Sequence, residues 1–295
     1  MAVALGLVVA MAGAPAEGAQ AATPAACAKT PKAKTAAYKR VSGVPANLTS
    51  LDVYAPSRAC RRGRKAQVVM WVHGGGYAIG DKANQIRDKV RLFTRRGVVF
   101  VSVNYRLTQP GKPNSARFPD HFRDVAAAVA WMRSNAARLG GDRSRMALLG
   151  HSAGADIVAN VTTNPRWLRE RKLSLKAVRC AGPLDTEGFD KAAAGPGERG
   201  QWVPALGNLP TYVRDTSAVH LIKRGAGIPR TVTVVRGTAR RQSIERRFAS
   251  TLRGAGVGTT VIDARSLSHA AVSRSIGAPG DRTMTPPLLK FLARC

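Results

Sequence analysis

Met146-Ala147-Leu148-Leu149-Gly150-His151-Ser152-Ala153-Gly154-Ala155 decides the fold. A short apolar run enters Gly-His-Ser-Ala-Gly and leaves as a second apolar stretch with helical spacing. Strand, sharp turn and helix make a G-x-S-x-G elbow, in which the serine takes a strained backbone and its hydroxyl stands clear of the sheet. Gly150 and Gly154 must be small, because a Cβ at either would collide with the neighbouring strand and helix. The helix starts at the serine, so its unpaired N-terminal amides point at the hydroxyl. The five-residue pattern also arises by chance; the strand before it and the helix after it give it weight.

Working upstream, residues 67–73 (Gln-Val-Val-Met-Trp-Val-His) have the continuous apolar character of a buried parallel strand. A helix is predicted over 83–96, ended by Gly97, and a strand over 98–103. In residues 118–139, Phe122, Val125, Val129 and Met132 recur at three and four positions, which predicts an amphipathic helix stopped by Gly140-Gly141-Asp142. Nearer the N-terminus, 38–41 and 51–54 read as short strands. Downstream, the elbow helix runs to Pro165. Strands follow at 175–180, 230–235 and 259–264, and helices at 242–252 and 286–293. This alternation predicts an α/β protein with a mostly parallel, doubly wound sheet flanked by helices. The loop-rich stretch 183–228 is too long for an ordinary connection and is expected to cover the mouth of a site.

The chain has 295 residues, enough for one large domain, expected over 38–295. Residues 1–21 combine a short apolar run with Ala19-Gln20-Ala21, the pattern of a cleaved secretory signal peptide. Residues 22–37, rich in Ala, Pro, Thr and Lys, read as a flexible leader. Secretion fits the four cysteines, Cys27, Cys60, Cys180 and Cys295. None sits at C-x-x-C spacing, so no metal site is expected. In an oxidising compartment they suggest two disulfides with three possible connectivities. Cys27 and Cys60 flank the N-terminal strands, which favours Cys27–Cys60 with Cys180–Cys295. Lys and Arg number 47 against 17 Asp and Glu, for a net charge of +30. The basic residues fall in scattered runs, such as Arg61-Arg62-Gly63-Arg64-Lys65 and Arg95-Arg96, with no nucleic-acid module among them. A solvated basic surface is expected, with non-specific adsorption to anionic surfaces and no specific nucleic-acid partner.

Four features fall in a telling order: His73-Gly74-Gly75-Gly76 after one strand, Ser152 at the elbow, Asp185 in Gly182-Pro183-Leu184-Asp185, and His269 after the last strand. Together with Gly80-Asp81-Lys82, Val103-Asn104-Tyr105-Arg106-Leu107 and Phe118-Pro119 leading to Asp124, they make the chain, from about residue 51 onward, resemble the α/β-hydrolase superfamily. The resemblance is to its HGGG-type esterase/lipase group, which includes small carboxylesterases, feruloyl esterase-like proteins and arylformamidases. It implies the α/β-hydrolase fold, Ser152 as nucleophile, His269 as base, an oxyanion hole from Gly75, Gly76 and Ala153, and no cofactor. The chemistry needs these groups: a serine hydroxyl is a poor nucleophile without an imidazole to take its proton, and the tetrahedral intermediate needs preplaced N–H donors.

The other histidines have structural readings. His73 props the glycine loop, His151 packs, His121 lies at the helix surface, and His220 lies in the covering stretch. Tyr77 and Trp202 are candidates for lining a pocket, with packing as their ordinary role. The acid departs from the family's pattern. The resemblance places it in a Gly-x-x-Asp turn, which here reads Gly237-Thr238-Ala239-Arg240. A cation there would oppose protonation of His269. Asp185 is the favoured replacement, ahead of Asp263, six residues before His269, and Glu245, too far along its helix for a comfortable partner. The expected function is a secreted serine hydrolase acting on small-molecule carboxylic esters. Arylformamidase-like amide cleavage is one alternative. A second, resting on Arg240, is a weakened hydrolase that binds without turnover, and a third, resting only on charge, is a polyanion-binding surface protein whose binding would fall steeply with salt.

Overall fold

A computed structural model describes residues 27–193, 200–207 and 210–295. The signal-peptide segment 1–21 and the first residues of the leader, 22–26, lie outside the described residues. Eight strands form one sheet: β1 Lys34–Ala37, β2 Ser50–Tyr54, β3 Ala66–Val72, β4 Val99–Val103, β5 Gly141–His151, β6 Cys180–Leu184, β7 Arg230–Val235 and β8 Thr259–Asp263. Their order is β1-β2-β4-β3-β5-β6-β7-β8. β1 and β2 pair antiparallel, as do β2 and β4, and the remaining pairs are parallel. The helices named below are α1 Arg87–Thr94, α2 Asp120–Asn135, α3 Ala153–Thr163, α4 Pro165–Arg169, α5 Val203–Leu206, α6 Pro210–Thr216, α7 Ala218–Leu221, α8 Ala239–Gly254, α9 His269–Ser275 and α10 Thr285–Leu292.

All seven residues of β3 are buried. Successive side chains alternate faces. Val68, Met70 and Val72 join Phe122, Val129 and Met132 of α2 and Ile157 of α3. Val69 and Trp71 join Phe93 of α1, Val272 of α9 and Leu288 of α10. Coverage on both faces explains why this strand reads as an unbroken apolar run. The chain leaves β3 for β4 on one side and returns through α2 to β5 on the other. The loops after β3 and β5 therefore diverge, and a crevice opens at the carboxyl ends of the strands, where open α/β sheets bind ligands.

The N-terminal hairpin differs from expectation. β1 is Lys34–Ala37, the end of the stretch read as leader, and residues 38–41 are not a strand. Tyr38 instead donates its backbone N–H to Thr49 O and turns its hydroxyl to Asn104 O at 3.0 Å, which ends the strand. The strand expected at 175–180 begins at Cys180, because the Leu175–Ala177 turn bonds locally and Val178 donates back to Leu175 O. The covering stretch contains α5, α6 and α7 rather than open loop. Disulfides join Cys27 to Cys60 and Cys180 to Cys295, the favoured pairing. Among the described residues no helix is long and apolar enough to cross a membrane.

Candidate active site

Ser152 sits between β5 and α3 with φ 57° and ψ −123°, a left-handed conformation that costs a non-glycine residue about 1–3 kcal/mol. The crowding expected around it is present. A Cβ on Gly150 would lie 2.4 Å from Gly154 O, and one on Gly154 would lie 2.3 Å from Val72 O. His269 opens α9, whose cap is Ser268, the side chain accepting from Ala271 N at 3.3 Å. His269 Nε2 lies 2.9 Å from Ser152 Oγ, and Nδ1 lies 2.6 Å from Asp185 Oδ2. Asp185 follows β6 directly, is fully buried, and has φ 66°. The structure thus brings Ser152, His269 and Asp185 into one hydrogen-bonded chain. Asp263 is outside it: exposed, and paired with Arg265 at 2.7 Å.

Arg240 is exposed and donates from Nη2 to Ala193 O at 3.0 Å. The arginines that reach Asp185 are nearby in the chain, Arg236 and Arg241. Arg236 Nε donates to Asp185 Oδ2, and Arg241 donates to Oδ1 from Nε at 3.0 Å and from Nη2 at 2.6 Å. Burial pushes the Asp185 carboxyl up. The hydrogen bond from His269 and the charges and bonds of Arg241 and Arg236 outweigh it, holding the group well below the usual carboxylate range. Glu245 is buried in the same cluster, its Oε2 accepting from Arg236 N at 2.9 Å. Burial and the nearby Asp185 charge push Glu245 up to about 8. Helix spacing alone did not show that α8 turns Arg241 and Glu245 to one face, four residues apart, toward β6.

His151 does more than pack. Its ring lies 4.5 Å from that of His269, and its Nε2–H donates to His269 O at 2.8 Å. It therefore holds the backbone from which the His269 ring projects. His121, expected at the surface, is fully buried and bonds Thr108 Oγ1 through Nε2 at 3.0 Å. Burial lowers both His151 and His121 to about 4. His73 donates from Nδ1 to Gly74 O at 2.7 Å and stacks on Tyr105. His220 is exposed and bonds Asp190 at 3.2 Å.

The glycine loop is held open by tight packing: a Cβ on Gly75, at φ 113°, would meet Ile79 O at 2.1 Å. The amides of Gly75 and Gly76 donate to no protein acceptor among the described residues. Ala153, first residue of α3, has no intrahelical acceptor for its N–H. Tyr77 continues the loop with φ 67° and donates its buried hydroxyl to Asp156 Oδ2 at 2.6 Å. Asp156 lies one turn beyond Ser152 and pairs with Lys191 of the covering stretch at 2.7 Å. Lys191 also donates to Gly188 O at 2.8 Å and Thr216 O at 2.7 Å. Sequence reasoning missed this buried trio. The available signal was a carboxylate on a helix whose other positions are small, amide, hydroxyl or apolar.

Two cavities meet at Ser152, His269 and Gly76. The smaller, of about 110 Å³, is bounded by Tyr77, Trp202, Glu187 and Arg241. The larger, of about 350 Å³, is bounded by Ile79, Asn84, Gln85 and Ser273. His151, Asp185 and His269 offer ligand atoms within 4.8 Å of one another. The cations Arg236 and Arg241 on Asp185 oppose a metal ion there, and the imidazole nitrogen nearest the acid is already bonded to it.

Residues 51–174 match the BD-FAE family model. Over 118 residues the chain is 37% identical to "Secreted lipase 5" of Gibberella zeae, covering 35% of this chain and 22% of that protein. It is 34% identical over 120 residues to mouse carboxylesterase 3B, covering 39% and 20%. It is 31% identical over 136 residues to the fumonisin B1 esterase of Sphingopyxis macrogoltabida, covering 43% and 25%. The matched parts are thus only about a quarter or less of these relatives' length. The apo form of Thermogutta terrifontis esterase 2 superposes with TM-score 0.66 at 22% identity, covering 90% of this chain and 93% of that one. By its sheet and this superposition the chain has the α/β-hydrolase fold, and residues 51–174 are similar to the BD-FAE family.

Proposed function

We propose that the protein is an exported serine hydrolase that cleaves carboxylic esters of small molecules through an acyl-enzyme. The observation that carries this is the hydrogen-bonded run Asp185–His269–Ser152, at 2.6 and 2.9 Å, ending where two cavities meet. His269 Nε2 takes the hydroxyl proton as Ser152 Oγ attacks the ester carbonyl. Asp185 stabilises the imidazolium through Nδ1. The oxyanion is held by the amides of Gly75, Gly76 and Ala153, whose placement before the reaction is what makes them effective. Collapse breaks the ester C–O bond, and His269 returns the proton to the departing alcohol. Water, deprotonated by His269, then releases the acid and restores Ser152. The names of the relatives support ester chemistry, and the two disulfides fit an oxidising compartment.

The test is hydrolysis of p-nitrophenyl acetate, butyrate and octanoate by the purified protein, with Ser152→Ala and Asp185→Asn alongside. Ser152→Ala is expected to fall to background, and Asp185→Asn to lose on the order of 10⁴-fold in kcat. A wild type no faster than Ser152→Ala on all three esters would overturn the proposal, and with it the ester reading of the cavities.

A further inference from the structure

The opposite end of the sheet carries a second feature that ester hydrolysis does not use. A groove of about 710 Å³ runs past the amino ends of β3, β4 and β5, with Phe93, Leu289 and Leu292 along its apolar part. Seven of its lining residues are Lys or Arg and none is Asp or Glu. Arg62, Arg64, Lys65, Arg95 and Arg145 are exposed along it and form no ion pair among the described residues. The nearest carboxylate influence is Asp142, which feels Arg145 and Lys65 but is bonded to Ser144.

Gathering like charges in one concavity is unfavourable unless something anionic completes it. The groove is also built rather than merely exposed. Arg61 is fixed by three carbonyls, donating to Pro56 O, Arg64 O and Gly140 O, and so ties the basic loop to the start of β5. Arg96 donates to Leu92 O at 3.1 Å. The Cys27–Cys60 disulfide closes the loop's near end, and Cys180–Cys295 pins the chain just after α10. The cations are nearly all arginine, whose planar fork matches phosphate oxygens two at a time.

We propose that this groove binds a linear phosphate polymer, through its backbone phosphates, at the end of the sheet opposite the serine. Each repeat of such a polymer presents a full charge and at least two free oxygens to a guanidinium fork. Bound this way, the protein is held on an anionic polymer with its catalytic crevice facing away from it.

The test is binding of fluorescent inorganic polyphosphate, of a single-stranded oligothymidylate and of polygalacturonate to the purified protein across a salt series. Two triple variants are compared: Arg62→Ala/Arg64→Ala/Arg95→Ala in the groove, and Arg169→Ala/Arg171→Ala/Arg253→Ala, exposed arginines outside it. Both remove three charges, so they separate the groove from net charge. Both phosphate polymers are expected to bind, and polygalacturonate much more weakly. The groove variant is expected to weaken phosphate binding at least about tenfold at 0.15 M salt. Its log–log salt slope should flatten by about 2, at about 0.7 per lost phosphate contact. The control variant should change affinity less than about twofold. Equal losses in both variants would reduce the effect to net charge and overturn the proposal. Polygalacturonate binding as tightly as polyphosphate would overturn the phosphate assignment. Melting temperatures report that both variants fold, so the result stands whether or not the serine hydrolyses esters.

Discussion

Lys191→Met makes a sharp test of how the crevice is held together. Lys191 and Asp156 are both fully buried and 2.7 Å apart. Burial lowers the Lys191 ammonium and raises the Asp156 carboxyl, so for each group desolvation outweighs the partner's attraction. Such a pair contributes little net stability, yet removing one partner strands the other charge in the interior, at about 3–5 kcal/mol. Methionine keeps the length of the side chain and its packing near Trp202 while deleting the ammonium. For a domain of this size that loss lowers the melting temperature by on the order of 10 °C. Adding Asp156→Asn to Lys191→Met removes the stranded carboxylate but still offers Tyr77 an acceptor. The double variant is therefore expected to be more stable than Lys191→Met alone. Thermal and urea unfolding of the wild type, both singles and the double give the coupling energy, expected at about 2 kcal/mol. Additive losses, with coupling below about 0.5 kcal/mol, would refute the claim that these charges compensate one another.

Three further outcomes follow from the site and its supports. Arg240→Ala should leave kcat/KM within about twofold of wild type, whereas Arg241→Ala, which deletes two bonds to Asp185, should lower it at least about tenfold; the same ester assay measures both, and the reverse order would restore the Gly237–Arg240 turn as the acid's neighbourhood. His121, held neutral by burial with its ionisation lowered to about 4, favours folding above the ordinary histidine value near 6.5 and loses that contribution as pH falls below it. Urea unfolding should therefore show stability dropping by about 3 kcal/mol per such histidine between pH 6.5 and 4, with a shallower drop in His121→Gln; an unchanged slope in that variant would refute the assignment. Replacing Cys180 and Cys295 by serine opens a cross-link spanning 115 residues and should cost about 4–5 kcal/mol on chain-entropy grounds, read as a lowered urea midpoint.

The parallel sheet was legible because its central strands are buried on both faces and carry unbroken apolar runs, as β3 does. The edge was not. β1 reads KTAA and is mostly exposed, so neither periodicity nor hydrophobicity marks it. It is a strand because β2 supplies its hydrogen bonds, through the pairings Lys34 with Val53 to Ala37 with Ser50. The glycine loop and elbow could be read locally, since each is a continuous motif with its own backbone demands. His121 was misplaced for the opposite reason: position on a helix does not state which side the Tyr77 and Tyr105 rings will cover.

Asp185 shows most clearly where local reading stops. In Gly237-Thr238-Ala239-Arg240 an arginine stands where a carboxylate was sought, and taken alone that residue argues for a disabled imidazole. In three dimensions the positive charge serves the other way. Arg236 just after β7 and Arg241 on the first turn of α8 bracket Asp185. They keep the carboxylate ionised although it is buried, so it remains an acceptor for His269 Nδ1. A carboxylate buried at the end of β6 needs this support more than an exposed one would, because a buried, unpaired carboxylate takes up a proton. Glu245 shows the opposite balance beside it: although Arg241 Nε lies 3.6 Å away and Arg236 N donates to it, burial and the Asp185 charge outweigh them and push it toward the neutral form. The cluster therefore drives its two carboxyls in opposite directions, the one facing the imidazole toward its charged form and Glu245 toward its neutral form.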